Sequence, residues 1–150
     1  MPESEFNELN YSFTINTIDK ISKDLRKEFK ETLSLIDNKL ISYYFDLNIS
    51  KTINYILKLD KWKIGYGLVV VDDEYWNLYE IYLKEEFREL GLGTKLFNFI
   101  KNDSYKNNKR VRTYTLPSDR RAKNFYESNR ITARVLIMEE KRERYRYRPS

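Results

Sequence analysis

Apolar and polar residues alternate over residues 11–16, with Tyr11, Phe13 and Ile15 on one side, the period of a half-buried strand. From Ile18 the spacing changes to three and four. Ile18, Ile21, Leu25, Phe29, Leu33 and Ile36 form the stripe of one amphipathic helix or two joined ones, with Thr17 placed to cap its start. Residues 40–50 follow neither period. Tyr55, Leu57 and Leu59 alternate up to Asp60-Lys61, and the apolar stretch 62–71 follows at once, so residues 54–71 predict a hairpin with 72–74 as its polar exit. Residues 76–83 predict a further strand, with Ile81 and Leu83 on one face and Glu80 and Tyr82 on the other.

After a turn at Glu85-Glu86 the helical period returns, placing Leu92, Leu96, Phe99 and Ile100 on one side of a helix that ends over 102–108. Residues 111–116 predict a strand stopped by Pro117, and Ser118 or Asp119 can cap a second helix through Ala122, Phe125 and Tyr126. Residues 131–138 and 141–148 then predict a closing antiparallel pair. Strands and helices in this order, with no repeat and no long linker, imply an α/β domain on a mixed sheet. A chain of 150 residues suits one such domain, residues 1–150, and 41% hydrophobic content supplies a core without disulfides or a structural metal.

Composition narrows the chemistry. The apolar run 68–71 is far short of the ~20 residues a membrane span needs, and residues 1–10 are acidic and polar where a signal peptide is basic and then apolar, so no membrane is expected and the cytoplasm is the expected compartment. With no Cys and no His, the chain lacks the usual thiolate nucleophile, the commonest general base and the soft metal ligands. Chemistry must run on carboxylates, Lys, Tyr, hydroxyls, backbone amides or water, and no metal is expected. The net charge of +5 permits an acidic partner without selecting one.

The chain has only four glycines where average usage gives about ten, and Gly91 and Gly93 both sit where a strand gives way to a helix. The segment Arg88-Glu89-Leu90-Gly91-Leu92-Gly93 lets the backbone approach a ligand, while the unpaired amides of the helix start face its negative charge, as a pyrophosphate requires. A plain tight turn with capping glycines is the other reading of a bare Gly-x-Gly. A dinucleotide fingerprint wants a third Gly where Leu96 stands, and a phosphate loop of the Gly-Lys-Ser/Thr kind lacks its ending.

In context, residues 80–96 resemble the coenzyme-binding motif of the GNAT superfamily of acetyltransferases, Arg or Gln, two residues, Gly, one residue, then Gly or Ala, after a strand that here reads Glu80-Ile81-Tyr82-Leu83. The resemblance implies the acyl-CoA N-acyltransferase fold: a central, mostly antiparallel sheet of about seven strands flanked by about four helices. It also implies acetyl-CoA as co-substrate. The backbone of Ile81, Tyr82 and Leu83 would hold the pantetheine arm like an added strand, and the amides of Glu89, Leu90, Gly91, Leu92, Gly93 and Thr94 would bind the pyrophosphate, with the charge of Arg88 at its edge.

The segment from Asp119 through Ala122, Phe125, Tyr126 and Glu127 resembles the family's Asn-x-x-Ala-x-x-Phe-Tyr-Glu helix. Asp119 falls on a coenzyme-side position, although Asp in place of Asn is also an ordinary N-cap. Tyr126 falls on the tyrosine that in many members lies by the thioester sulfur and protonates the departing thiolate; a core aromatic is the alternative. Arg130-Ile131 replaces the family's Gly-Phe. A proton acceptor for the attacking amine must be a carboxylate or a water relay, and Glu80, on the same strand face as Tyr82, is the first candidate. Tyr114 stands where members that acetylate protein N-termini carry a Glu.

The expected function is acetyl transfer from acetyl-CoA to a primary amine, on a protein or a small molecule, by direct attack in a ternary complex, in a monomer or homodimer. Two alternatives remain, a non-catalytic acetyl-CoA-binding domain and a basic nucleic-acid-binding module. Arg142, Arg144, Arg146 and Arg148 alternate with Glu143, Tyr145 and Tyr147, which permits nucleic acid as a partner but favours a charged edge strand.

Overall fold

The computed structural model describes residues 3–8, 11–37, 51–116, 118–138 and 140. Strands β1 (Glu3–Glu8), β2 (Tyr11–Ile18), β3 (Thr52–Leu59), β4 (Trp62–Val71), β5 (Tyr75–Leu83) and β6 (Arg110–Thr113) lie side by side in chain order in one sheet. Neighbours are antiparallel from β1 to β5, whereas β5 and β6 are parallel and joined through a helical crossover. The helices are α1 (Lys23–Asp37), α2 (Leu92–Lys106) and α3 (Arg120–Ser128). This is the mixed-sheet α/β fold expected from the element order, with six strands and three α-helices among the described residues against the expected seven and four.

Each face of the sheet buries its own cluster. On one face, Ile21, just before α1, and Leu25 in its first turn pack on Ile56, Tyr66, Leu68 and Tyr82. On the other, Leu92, Leu96, Phe97 and Ile100 of α2 and Tyr126 of α3 pack on Tyr55, Leu57, Ile64, Val69, Trp76 and Leu78. The alternation of Tyr55, Ile56 and Leu57 between the two clusters follows from the strand's period of two.

Several boundaries differ from the sequence-based expectation. Thr17 and Ile18 belong to β2, where they pair with Tyr55 and Asn54, so Thr17 is not a helix cap. The helix starts later, and the Ser22 hydroxyl accepts the Leu25 N–H at 3.2 Å in the capping role. β1 was not expected, because Phe6 is its one large apolar residue; its ring stacks on Phe13 with centroids 5.5 Å apart. β6 stops at Thr113, short of the expected 116. Residues 131–138 form no strand, and Val135, Leu136, Ile137 and Met138 are exposed. Arg130, at φ 67°, turns the chain out of α3, and no described strand offers this segment a ladder. The expectations for residues 40–50, Pro117 and 141–148 lie outside the described residues.

One irregularity shapes the site. Leu68 pairs with Glu80 but Val69 pairs with Leu78, so Tyr79 is an extra residue in β5. Such a bulge puts two consecutive side chains on one face and sharpens the strand's bend and twist. Pairing between β5 and β6 ends one residue earlier, at Leu78 and Thr113. Beyond that rung β5 continues without β6 as a ladder partner.

Two buried phenols tie the sheet to its surroundings: the Tyr55 hydroxyl donates to Asp103 at 2.6 Å, and the Tyr66 hydroxyl to Glu80 at 2.6 Å. Burial, and then the neighbouring carboxylate, pushes both well above the ordinary tyrosine value of 10.0. Unfolded tyrosines lose their protons first as pH rises through about 10, so stability present below that pH falls above it. Urea unfolding between pH 8 and pH 11 should show this loss, and Tyr55→Phe and Tyr66→Phe should each flatten the slope. A slope unchanged in both variants would contradict the assignment.

Candidate active site

The opening between β5 and β6 is bordered by the loop that leads into α2. Lys84 N–H donates to Ile64 O at 2.8 Å, and in an antiparallel ladder this places Tyr82 and Tyr66 in the pair that exchanges hydrogen bonds. The N–H and C=O groups of Ile81 and Leu83 therefore point away from β4, toward the opening. Tyr82 is bonded inward. Arg88 folds back so that its Nε donates to Leu83 O at 2.8 Å and its guanidinium lies 5.5 Å from the Tyr82 ring centre. Of the three residues expected to offer backbone to a ligand, Ile81 and Leu83 face the opening, and the Leu83 carbonyl is already engaged.

A short 3₁₀ turn, Glu85–Phe87, reverses the chain, and Glu89 at φ 65° and Gly91 at φ 79° carry it into α2. Gly91 is the N-cap and supplies no side-chain hydrogen bond; the first helical bond is Lys95 N–H to Gly91 O at 3.2 Å. The amides of Leu92, Gly93 and Thr94 precede that bond and so have no partner within the helix, the arrangement that favours an anion. Leu90 is exposed and Leu92 fully buried, so Leu92 contributes its amide while its side chain anchors the helix in the core.

The two glycines serve different ends. A Cβ on Gly91 would meet nothing within 4 Å, so this position answers to its left-handed backbone and leaves open space beside the loop. A Cβ on Gly93 would lie 3.3 Å from the Phe125 ring, so Gly93 lets α3 close on the first turn of α2. That contact places Tyr126 beside the loop's own helix. Tyr126 is buried, with its ring 6.1 Å from Phe97 and 5.6 Å from Phe125. Asp119 caps α3, its carboxylate accepting the Ala122 N–H at 3.1 Å. Of the two roles the sequence left open for Asp119, the N-cap is the one the geometry displays.

Glu80 sits on the opposite face, under α1. It is fully buried, and Arg26 grips it with Nε to Oε1 at 3.1 Å and Nη2 to Oε2 at 2.5 Å, while Tyr66 donates to Oε1. The hydrogen bonds it donates to Glu80 raise the Arg26 guanidinium above its ordinary value. Both carboxylate oxygens are committed, and a proton taken up there would break a buried ion pair. This is the geometry of a strut between α1 and β5 rather than of a free base. Farther along α1, Glu28 accepts from the Tyr82 hydroxyl at 3.3 Å and pairs with Lys84 at 3.1 Å. Sequence reading missed Arg26 and Glu28, which lie on the polar side of the α1 stripe and carried no motif.

Residues 51–129 match the family described as acetyltransferase (GNAT) domain. Comparison with curated protein sequences finds no match. Among solved structures, the chain is similar to a GNAT family acetyltransferase from Elizabethkingia anophelis with acetyl-CoA bound, at 21% identity and TM-score 0.58, over 78% of this chain and 74% of that one. It is similar to an aminoglycoside acetyltransferase from an uncultured soil metagenomic sample in complex with trehalose, at 17% identity and TM-score 0.60, over 87% and 95%. The aminoglycoside N-acetyltransferase AAC(6')-Iy in complex with CoA is similar at 14% identity and TM-score 0.59, over 85% and 98%. At these identities the likeness is one of fold.

Removing one partner of the buried pair should be costly where removing both is not. Arg26→Met should destabilise by about 3–5 kcal/mol, and Arg26→Met with Glu80→Met should recover most of that loss in urea unfolding. At the loop, Gly91→Ala should cost about 1–2 kcal/mol through its left-handed backbone alone. Gly91→Asn should cost less. Equal costs for Ala and Asn would argue that φ is not what the position demands.

Proposed function

The chain belongs to the acetyltransferase (GNAT) domain family, and on that premise we propose that it transfers an acetyl group from acetyl-CoA to a primary amine by direct attack in a ternary complex. The observation that carries the reading is the opening between β5 and β6, with the outward backbone of Ile81 and Leu83 on one wall and the unpaired amides of the α2 start at its mouth. An extended pantetheine arm suits such an edge as an added strand would, and a pyrophosphate suits the amides of residues 89–94. Arg88, anchored on Leu83 O, brings positive charge to the edge of that loop.

Tyr126 is the proton donor to the departing thiolate in this reading, held beside the loop by the Gly93–Phe125 contact. Glu80 holds β5 in place, and the ammonium's proton leaves through water. The absence of Cys and His from the sequence favours direct attack over an acetylated enzyme. Aminoglycosides are the first acceptors to try, because two structurally similar proteins are aminoglycoside acetyltransferases. No helix among the described residues is long and apolar enough to cross a membrane, and the cytoplasm is the compartment we assign.

Calorimetry should show acetyl-CoA binding, and thiol release should follow on addition of a suitable amine from a panel of aminoglycosides, polyamines and peptides. Acetyl-CoA alone should give no burst of CoA equal to the enzyme. Tyr126→Phe should lower kcat by on the order of 10²-fold with acetyl-CoA affinity little changed, and Glu80→Gln should act mainly on stability. Failure to bind acetyl-CoA would sink the proposal, and binding without transfer to any amine class would replace it with a coenzyme-binding domain.

A further inference from the structure

The place where β5 and β6 part is closed by two aromatic rings. The last paired rung is Leu78 with Thr113, and the next residue on each strand is a tyrosine, Tyr79 and Tyr114. Their rings stack with centroids 4.6 Å apart and planes within 6°. Alternation after Leu78 puts Tyr79 on the α1 side, where it packs against the cluster of Tyr66 and Tyr82 and the bulge keeps Glu80 on the same side, while Tyr114 packs on Leu33 and Leu116. The stack thus bridges the fork on that face, just where the strands cease to share backbone hydrogen bonds.

The stack is anchored. The Tyr114 hydroxyl donates to Asn77 Oδ1 at 3.3 Å, and Arg112 Nε donates to the same oxygen at 3.1 Å. Buried Asn77 in turn donates to Val70 O at 3.1 Å and to Asp72 at 2.9 Å. On the opposite face, Leu78 and Ile100 are fully buried.

We propose that the Tyr79–Tyr114 stack is the side wall at the closed end of the acyl site and restricts the donor to short acyl groups. The inference rests on the acetyl-CoA reading. With the pyrophosphate at the start of α2 and the arm laid along Leu83 and Ile81, the thioester end points back toward the fork, and four residues of strand, about 13 Å, separate Leu83 from Tyr79. At that level an acyl chain meets the Leu78–Thr113 backbone ahead, core on one side and the paired rings on the other. An acetyl methyl fits short of this wall. Each added methylene must displace a ring that is stacked and tethered through Asn77.

The test needs no acceptor. Calorimetric titration of the full chain with CoA, acetyl-CoA, butyryl-CoA and hexanoyl-CoA should show hexanoyl-CoA bound at least about ten-fold more weakly than acetyl-CoA. Tyr79→Ala and Tyr114→Ala should narrow that ratio to about two-fold or less, and Tyr79→Leu should fall between; Tyr114→Phe, which keeps the ring, should retain it. Folding of each variant is checked by circular dichroism. If the wild-type chain binds hexanoyl-CoA as tightly as acetyl-CoA, the wall does not exist, whatever the variants do. Discrimination that survives in folded alanine variants overturns the assignment to these two residues. Failure of every CoA species to bind is a different result and removes the coenzyme reading itself.

Discussion

A carboxylate with no access to water must be compensated where it lies, and Glu80 is compensated by a residue 54 positions away in sequence. The grip of Arg26 on both its oxygens fixes where α1 crosses β5, and the Tyr66 hydroxyl adds the neighbouring strand to the same point. Helix, bulged strand and partner strand are therefore held together at one buried atom group. Aromatic packing then extends the hold, since Phe29 meets both Tyr66 and Tyr82 edge-on. What α1 covers, and what it leaves uncovered, follows from that anchor.

The bulge beside Glu80 converts this anchoring into a site. With Tyr79 inserted, the first half of β5 keeps Trp76 and Leu78 in the α2 cluster, and the second half returns Ile81 and Leu83 to the same face after two consecutive residues on the other. The parallel ladder ends one residue before the bulge, and beyond that rung β5 runs on without β6 as a partner. Behind the fork, α2 and α3 approach closely because Gly93 has no side chain, so the anion-favouring helix start and Tyr126 are set by one contact.

Much of this was legible from residue spacing. The hairpin over 54–71 could be read because Asp60-Lys61 divides a clean alternation from the apolar stretch that follows, and the helix after the glycine loop because Leu92, Leu96 and Ile100 repeat at four. The faces of Glu80, Ile81, Tyr82 and Leu83 were also read correctly. The bulge itself was not, because a strand's period looks unbroken until the pairing partner is known. Phe97 was overlooked as core since it stands beside the Leu92 stripe, and β1 because its stability comes from pairing with β2 rather than from its own apolar content. Long-range partners such as Arg26 for Glu80 leave no local trace. The surroundings of a buried carboxylate depend on such a partner, so a strand-face argument could name Glu80 without the Arg26 and Tyr66 contacts that hold it.

The parallel junction between β5 and β6 also sets an order in time. β3, β4 and β5 follow one another through short turns and can pair as soon as they are made, whereas β6 can reach β5 only after the whole of α2 has folded across the sheet. Its ladder is short, four residues against the eight to ten of β3 and β4. The seam between β5 and β6 is thus expected to close last during folding and to open first in partial unfolding. A ligand lodged across that seam would act as a splint, lending the sheet's weakest joint a rigidity that the polypeptide does not supply by itself.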